Sequence, residues 1–398
     1  MPPRPNGQLF PPPDLKPRSR VLVMGVGGAG CNGVARMTSV WSEGPPVVAV
    51  NTDAQALAAC GVSRTVLIGE KATRGLGAAG DVTAGRLAAE ESLSVLQDLA
   101  AGCDLLILVA GLGRGTGTGA LPVIAKIARE LGILTLCFVA MPFGIEGDRT
   151  RRVAEEGLRQ LRRHAGAVIA LPNDRLLKLA DESASLDAAF GVSDGMLAEG
   201  VHAIWYLLSH TGVINITFAD LQELAERSGG SLSFAHAEAA GPARVASALR
   251  ALLDSPLLER GRLLSEAQGV LVNIAGGPDL TLADLQGIMG QITSSVRANA
   301  HVSMGALVDP ARRERVTITL LAAESWQEER QQQPAAATDP GDRAEKPRAG
   351  DTQPELGLGE LKPQDRGAFG KSSPTLINGE DLDIPTYIRR GIKLSFER

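Results

Sequence analysis

Aromatic residues are scarce in this chain: Phe, Trp and Tyr together make up 3% of its 398 residues. Aliphatic residues are plentiful, and hydrophobic residues of all kinds reach 44%. A chain of this length can bury enough surface for two domains plus terminal segments. We therefore expect a core built from Val, Ile, Leu and Ala.

Sequence patterns for zinc are also missing. The four cysteines form no Cys-x-x-Cys pair, and none of the five histidines stands at ligand spacing from a cysteine. The cysteines are Cys31, Cys60, Cys103 and Cys137. We interpret them as reduced thiols of a cytosolic protein and predict no metal site made by protein side chains.

An excess of positive charge is lacking as well. The formal net charge is -5, which argues against a nucleic-acid partner. No apolar run approaches the about 20 residues that cross a bilayer, and residues 1–20, rich in proline and arginine, lack the apolar core of a signal peptide. We expect a cytoplasmic protein that meets a membrane only through a partner or a short surface segment.

What the sequence contains instead is an alternation of strands and helices. The patterns predict strands at 21–25, 47–51, 105–110, 134–140 and 168–171, and helices at 82–99, 121–131 and 153–164. This alternation indicates an α/β fold with a parallel, Rossmann-like sheet and right-handed crossovers. A long helix at 187–210 follows, and the sheet pattern restarts at 213–218. A helix at 244–253, a strand at 269–275, a helix at 282–296 and strands at 302–308 and 316–322 then predict a smaller α+β domain.

Two glycine-rich loops follow predicted strands. Residues 25–30 fit the GxGxxG pattern, and Asp53 stands at about the distance of a ribose-binding acid. Taken alone, this loop would indicate a dinucleotide-binding Rossmann domain and a nucleotide-dependent oxidoreductase. Many glycine turns satisfy this short pattern by chance, however.

The second loop, residues 111–119, reads Gly-Leu-Gly-Arg-Gly-Thr-Gly-Thr-Gly. Glycines let the backbone approach a polyphosphate, so that successive N–H groups point at its oxygens. The helix that follows adds the positive end of its dipole. The chain lacks GxxxxGK[ST], the pattern that supplies a phosphate-binding lysine. We therefore predict a phosphate site made by backbone amides.

Residues 113–119 resemble the GGGTGTG signature of the tubulin/FtsZ family of GTPases, with Arg114 in place of the second glycine. Further segments resemble cell-division members of that family in the same order along residues 20–323. These segments are 25–32, 51–57, 73–80, 142–147, 172–177, 190–197, 215–220, 255–258 and 267–274. The resemblance implies a tubulin-like GTPase that binds GTP or GDP with Mg²⁺ and assembles head to tail with copies of itself.

The resemblance also implies roles for individual residues. The first loop would contact the α/β-phosphates and the guanine side, a middle loop the γ-phosphate, and the second glycine loop the phosphates. Further positions would contact the ribose or base, with Phe190 stacking on guanine and Asp194 accepting from its N1 and N2 groups. These cofactor-binding residues are Gly27, Gly28, Ala29, Asn32, Gly77, Ala78, Ala79, Gly113, Arg114, Gly115, Thr116, Gly117, Thr118, Gly119, Glu146, Thr150, Asn173, Phe190 and Asp194.

Three positions depart from the family pattern. Thr150 stands where the family has a ribose-side arginine, and Arg149 or Arg151 are candidates to replace it. Arg114 adds a cation to the phosphate loop, to bind phosphate more tightly or to point to solvent. In the family, a loop reading NxDxxD reaches from one subunit into the nucleotide site of the next. Its counterpart here contains Asn215, Thr217 and Asp220.

Threonine cannot act as a base at neutral pH, and losing a proton acceptor typically lowers a rate by about 10²–10⁴. We therefore predict a GTPase slowed by Thr217, with Asp220 retained. The alternative is a structural paralogue that binds GTP, scaffolds or co-assembles, and hydrolyses little or nothing. A further difference lies at residues 234–237, where the family has a glycine-containing turn near the subunit contact.

The resemblance divides the chain as follows: a disordered arm at 1–19, a GTP-binding domain at 20–186, a central helix at 187–212 and a C-terminal α+β domain at 213–325. A disordered linker at 326–379 is rich in Gln, Pro, Ala, Gly and charge. A recognition peptide and tail occupy 380–398. The stretch from Asp381 to Arg390 resembles the family's recognition peptide and implies membrane-tethering and regulatory division proteins as partners, at the division site.

Overall fold

The computed structural model describes residues 19–176, 186–323 and 325, and the backbone of 376–377 and 380–381. Side chains of 186–190 are not described. The chain divides into two units, 1–333 and 334–398. In the second, Leu376–Ile377 pairs antiparallel with Glu380–Asp381. The predicted arm 1–19, apart from Ser19, and the recognition peptide after Asp381 lie outside the described residues.

Ten strands of the first unit form one sheet. They are β1 Val21–Val26, β2 Val47–Asn51, β3 Thr65–Leu67, β4 Leu105–Gly111, β5 Leu134–Met141, β6 Ala167–Pro172, β7 Ser231–Ala240, β8 Gly269–Gly276, β9 His301–Val308 and β10 Arg315–Ala323. Their order is β3-β2-β1-β4-β5-β6-β7-β10-β8-β9. Strands β1 to β6 pair in parallel, whereas β10 pairs antiparallel with both β7 and β8. The predicted α/β fold with a parallel sheet is confirmed.

Thirteen α-helices are described. They are α1 Gly27–Val40, α2 Ala54–Ala59, α3 Glu70–Thr73, α4 Val82–Glu91, α5 Leu93–Ala100, α6 Gly115–Glu130, α7 Asp148–Arg162, α8 Asn173–Leu176, α9 Leu186–Ser209, α10 Phe218–Arg227, α11 Arg244–Leu253, α12 Arg262–Glu266 and α13 Leu282–Ser295. In the part of the chain that the structure describes, no helix combines the length and apolarity of a membrane span.

Strand β4 shows why the sheet lies at the centre of the molecule. Its residues from Leu105 to Ala110 are all at most 1% exposed. Alternate side chains point to opposite faces: Ile107 packs into a core with Phe138 of β5, and Leu108 into a second core with Leu121 of α6. A continuous apolar strand is what helices on both faces of a parallel sheet require.

Two predicted elements of secondary structure are wrong. The helix predicted at 82–99 is two helices, because Ser92 leaves the helical conformation and its hydroxyl accepts from the Gly69 N–H at 3.0 Å. The strand predicted at 213–218 is a single bridge between Ile214 and Ala306, after which Thr217 caps α10.

Residues 234–237 are the segment that differs from the glycine-containing turn of the family. They do not form a turn but lie within strand β7, where His236 stands opposite Thr319 of β10. The first residues of β7 pair with β6, Ser231 with Val168 and Leu232 with Ile169. This strand therefore joins the parallel part of the sheet to the antiparallel part, and α9 packs against it.

Candidate nucleotide-binding site

A cleft of about 660 Å³ opens at the carboxyl ends of the parallel strands. Its wall is built from the ends of β1, β4 and β5, the loop at 76–80, and parts of α1, α6 and α9. Ligands of open α/β sheets bind at this edge, because the loops that follow neighbouring parallel strands meet there. The volume lies within the usual range for small-molecule sites, about 300–1,000 Å³.

Two helices begin at this cleft without a side-chain cap. Helix α1 starts directly after β1, and α6 starts four residues after the end of β4. Their N-cap residues, Val26 and Arg114, offer no side-chain hydrogen bond, and neither helix has an acidic residue in its first turn. Side chains cap α2, α4, α10 and α13, whereas α3, α5, α7, α11 and α12 lack a side-chain cap as α1 and α6 do. What distinguishes α1 and α6 is that both first turns line the cleft. Uncapped N–H groups and the positive ends of two helix dipoles therefore face one cleft, an arrangement that suits an anion.

Glycines allow the two helix starts to lie against each other. Gly27 has a φ of 73°, and a Cβ there would stand 3.0 Å from the Gly117 nitrogen. A Cβ on Gly117 would run into the backbone oxygen of Gly111. A larger residue at Gly27 would push α1 away from α6, and one at Gly117 would push α6 away from the end of β4. Either change would displace the N–H groups.

The second glycine loop is largely helical, since α6 begins at Gly115 and not at residue 121 as predicted. Residues 114–117 line the cleft, whereas Gly113, Thr118 and Gly119 lie outside its wall. Thr118 is 2% exposed and its Oγ1 accepts from the Gly113 N–H at 2.9 Å. A Cβ on Gly119 would run into α4 at Val82. Thr118 and Gly119 therefore support the conformation of the loop from the side that faces away from the cleft.

The loop at 76–80 forms the part of the wall next to the start of α6. Its predicted residues Gly77, Ala78 and Ala79 all line the cleft. The Gly77 N–H donates to the Thr52 oxygen at 3.1 Å, and the Thr52 and Thr116 hydroxyl oxygens lie 2.7 Å apart. These bonds connect the loop to α6, so that both are held at the same side of the cleft.

Asp53 does not serve as a free ribose acceptor. Its Oδ1 accepts from the N–H groups of Gln55 and Ala56 at 2.9 and 3.0 Å and thereby caps α2. One oxygen of the acid that the oxidoreductase interpretation requires is therefore engaged in capping a helix.

Glu146 lies at the opening of the cleft, on the short turn Gly144–Glu146. Its Oε1 accepts from the Phe143 N–H at 3.1 Å, and its Oε2 lies 3.5 Å from a guanidinium nitrogen of Arg114. Thr150 is outside the wall: its hydroxyl donates to the Glu146 backbone oxygen at 2.9 Å. Arg149 and Arg151 are not on the wall either.

Polar groups of α1, α8 and α9 line the other end of the cleft. Predicted residues Asn32, Asn173 and Asp194 are there, joined by Arg36 and Ser193, which were not predicted. Ser193 donates to the Asn173 Oδ1 at 2.7 Å, and both residues are at most 5% exposed. The position of Arg36, one helical turn after Asn32, was the available signal. The side chain of Phe190 lies outside the described part of the structure.

The predicted catalytic residues are not in this cleft. Asn215 accepts from the Gly212 N–H at 2.6 Å. The Asp220 Oδ2 accepts from both the N–H and the hydroxyl of Thr217, each at 2.6 Å, in a capping box at the start of α10. Helix α9 lines the cleft at Asp194 and ends at Ser209, so its rise alone separates the two regions by about 22 Å. A single chain therefore does not bring Asp220 to its own cleft.

One cysteine lies in α1, beside the first glycine loop. Burial raises the pKa of Cys31 to about 12, so the thiol stays neutral at physiological pH. No reactive thiolate is therefore expected next to the cleft from this residue.

Two family models match the chain. One, described as "Tubulin/FtsZ family, GTPase domain", matches residues 20–181. The other, described as "FtsZ family, C-terminal domain", matches residues 230–325. Together they span the parallel part of the sheet and the antiparallel part.

Individual proteins match over most of their length. The chain is 39% identical over 314 residues to the cell division protein FtsZ of Buchnera aphidicola subsp. Schizaphis graminum, covering 79% of this chain and 81% of that protein. It is 41% identical over 290 residues to cell division protein FtsZ 1 of Archaeoglobus fulgidus, covering 73% and 78%. An empty FtsZ dimer of M. jannaschii superposes with a TM-score of 0.70 at 34% identity, covering 76% of this chain and 88% of that one.

Proposed function

The chain belongs to the tubulin/FtsZ family of GTPases, and from this premise we propose that the cleft binds GTP with its phosphates at the first turns of α1 and α6. As a family member it is an FtsZ-like GTPase related to cell-division proteins. The observation that carries the proposal is the pair of uncapped helix starts at one cleft.

The polar end of the cleft would take the guanosine. Asp194 supplies a carboxylate and Asn173 an amide at that end, and guanine presents a pair of N–H donors to a carboxylate whereas adenine does not. Glu146 would contact the ribose. Selectivity for GTP over ATP follows from this assignment.

Mg²⁺ is the metal ion that the family implies. Among the residues that the structure describes, no three His, Cys, Asp or Glu side chains are grouped to hold a metal ion. Asp53 on the cleft wall is already engaged in capping α2. These residues suit an ion held mainly by phosphate oxygens and water, as Mg²⁺ often is at nucleotide sites. There it would neutralise phosphate charge.

Hydrolysis would take place between subunits stacked head to tail. Asp220 lies beyond the far end of α9 from the cleft, so only a second copy can present it to the phosphates. Exposed apolar side chains suit such a contact: Leu76 and Ile145 at the cleft are both 80% exposed, and Val213 beyond α9 is 77% exposed. Two different surfaces that meet in this way generate a filament.

The reaction would be slow. Thr217 replaces a carboxylate of the family loop, and its hydroxyl is occupied by the Asp220 carboxylate. Asp220 alone would then position the attacking water. A second candidate function, a scaffold that binds GTP and hydrolyses little or nothing, is favoured by the same pair of hydrogen bonds, because they also hold Asp220 in the cap.

The tail would connect the filament to other division proteins. We place the peptide from Asp381 to Arg390 in contact with membrane-tethering and regulatory partners, in the cytoplasm at the division site. Truncation before Asp381 should leave assembly intact and abolish partner binding. Loss of assembly in that truncation would contradict this role.

Phosphate release and pelleting, measured on the same sample, test the main proposal. With GTP and Mg²⁺ we expect sedimenting polymer and slow phosphate release, and with ATP neither. Polymer without phosphate release would favour the scaffold. A protein that fails to bind GTP in equilibrium titration would refute both.

A further inference from the structure

Arg114 occupies an unusual position at the start of α6. It is the N-cap residue of the helix, it lines the cleft, and its side chain is 81% exposed. The N–H groups of Gly115 to Gly117 follow it directly. An anion held by that first turn would therefore lie within reach of the guanidinium group.

The partner of Arg114 in this structure is weakly bound. One guanidinium nitrogen lies 3.5 Å from the Glu146 Oε2, at the long limit of a hydrogen bond. Glu146 already accepts from the Phe143 N–H through its other oxygen. An exposed ion pair of this kind contributes little to stability, so a phosphate that offers two oxygens would compete with it successfully.

No other cation takes this place among the described residues of the cleft wall. Arg36, the other arginine there, lies against Gly191, because a Cβ on Gly191 would stand 3.3 Å from its guanidinium nitrogen. Arg151 is outside the wall and pairs with Glu155 at 3.1 Å. Thr150 packs its methyl group towards Gly113.

We propose that Arg114 is a phosphate-binding residue that exchanges partners: its guanidinium leaves Glu146 and binds the β- or γ-phosphate when nucleotide enters. The exchange makes affinity depend on the number of phosphates and frees Glu146 for the ribose. This inference rests on the proposed function, since it assumes a guanine nucleotide in the cleft.

Equilibrium titration with GTP, GDP and GMP tests the exchange. Arg114→Ala should weaken binding of GTP by about 10-fold or more, because it removes charge-assisted hydrogen bonds, and should change GMP binding by less than about twofold. An equal loss for GDP would assign the contact to the β-phosphate, and unchanged GDP binding would assign it to the γ-phosphate. The GTP affinity of Arg114→Lys should lie between those of the parent and Arg114→Ala, because lysine keeps the positive charge but lacks the paired N–H donors of the guanidinium group. The salt dependence of GTP binding should also decrease in Arg114→Ala.

Arg151→Ala provides the matched control, because Arg151 is also an exposed, ion-paired arginine but is not on the cleft wall. It should bind all three nucleotides like the parent. Equal loss of GTP and GMP affinity in Arg114→Ala would overturn the exchange and indicate a merely structural contact with Glu146. Unchanged GTP binding would overturn it as well. A parent that binds none of the nucleotides would instead refute the proposed function.

Discussion

The two ends of helix α9 present opposite arrangements. Near its start, α9 borders a cleft where the first turns of α1 and α6 lack side-chain caps. Beyond its end, Thr217 and Asp220 cap a helix start through a capping box. The cleft near the start of α9 therefore has backbone N–H donors without side-chain partners, and the region beyond its end has a carboxylate. Under the proposed function, each end of the chain would supply half of a reaction site.

The largest change in activity is expected at Asp220, beyond the end of α9. Asp220→Asn should lower phosphate release by about 10²–10⁴ while leaving GTP affinity unchanged, because it removes the remaining carboxylate of the loop and leaves the cleft intact. Asp284→Asn is the matched control, since Thr281 and Asp284 form the same capping box at α13. The control should lose only cap stability, about 1 kcal/mol. Equal loss of activity in both variants would show that capping alone matters.

The next largest change is expected at the first turn of α6, in the cleft near the start of α9. Gly117→Ala places a methyl group against the Gly111 backbone oxygen and displaces the first turn of α6. GTP binding should weaken by about 100-fold, the scale on which small displacements at a site act. Gly195→Ala is the control, because a Cβ there meets no heavy atom within 4 Å. Titration of both variants with GTP measures the two affinities. If Gly117→Ala binds GTP as tightly as the parent, the assignment of the phosphates to α6 is contradicted.

A smaller effect, of opposite sign, sharpens the account of slow hydrolysis. Thr217→Asp restores a carboxylate and keeps a good N-cap residue. Phosphate release in the presence of polymer should rise by about tenfold or more, as a partial recovery of the about 10²–10⁴ that a proton acceptor contributes. A variant no faster than the parent would mean that Thr217 is a tolerated change and that the rate is set elsewhere.

The last prediction concerns stability and not activity: it lies in the sheet beside α9 and should leave both ends unaffected. Burial, the main cause, lowers the pKa of His236 to about 4, with Arg312 and His202 lowering it further and Glu238 opposing them. An unfolded histidine titrates near 6.5. The folded state therefore resists protonation, and stability is complete above about pH 6.5 and falls as the pH decreases towards 4.

His236→Gln should remove this component while keeping a polar partner for the Thr319 hydroxyl, which lies 3.0 Å from the histidine Nδ1. Between pH 7 and 4 the parent should lose up to about 3 kcal/mol more of its free energy of unfolding than the variant. Urea titrations at both pH values measure the difference. Parallel pH dependence in the two proteins would show that His236 does not contribute.

The parallel core could be predicted because its strands are continuous apolar runs, as at 105–110. The strand predicted at 213–218 was wrong because Val213, Ile214 and Ile216 are apolar without forming a ladder. The spacing of Thr217 and Asp220 was a sequence signal for a helix start instead. Strand β7 was missed although Ser231 to Phe234 alternate polar and apolar residues, the period of a half-buried strand.

The convergence of the glycine loops could also be anticipated, since parallel strands end at one edge of a sheet. The sequence could not predict which glycines face the cleft. That depends on how α6 is rotated, and the rotation follows from its contact with α4: a Cβ on Gly115 would stand 2.7 Å from the Asp81 oxygen. Contacts between elements distant in sequence decide such details.

The cleft of one chain and the carboxylate of another are proposed to form the reaction site together. The measurement that tests this is the specific GTPase activity as a function of protein concentration. GTP hydrolysed per subunit should be close to zero in dilute solution and rise as subunits associate. A specific activity that is measurable and constant across concentrations, in a protein that stays monomeric, would contradict it.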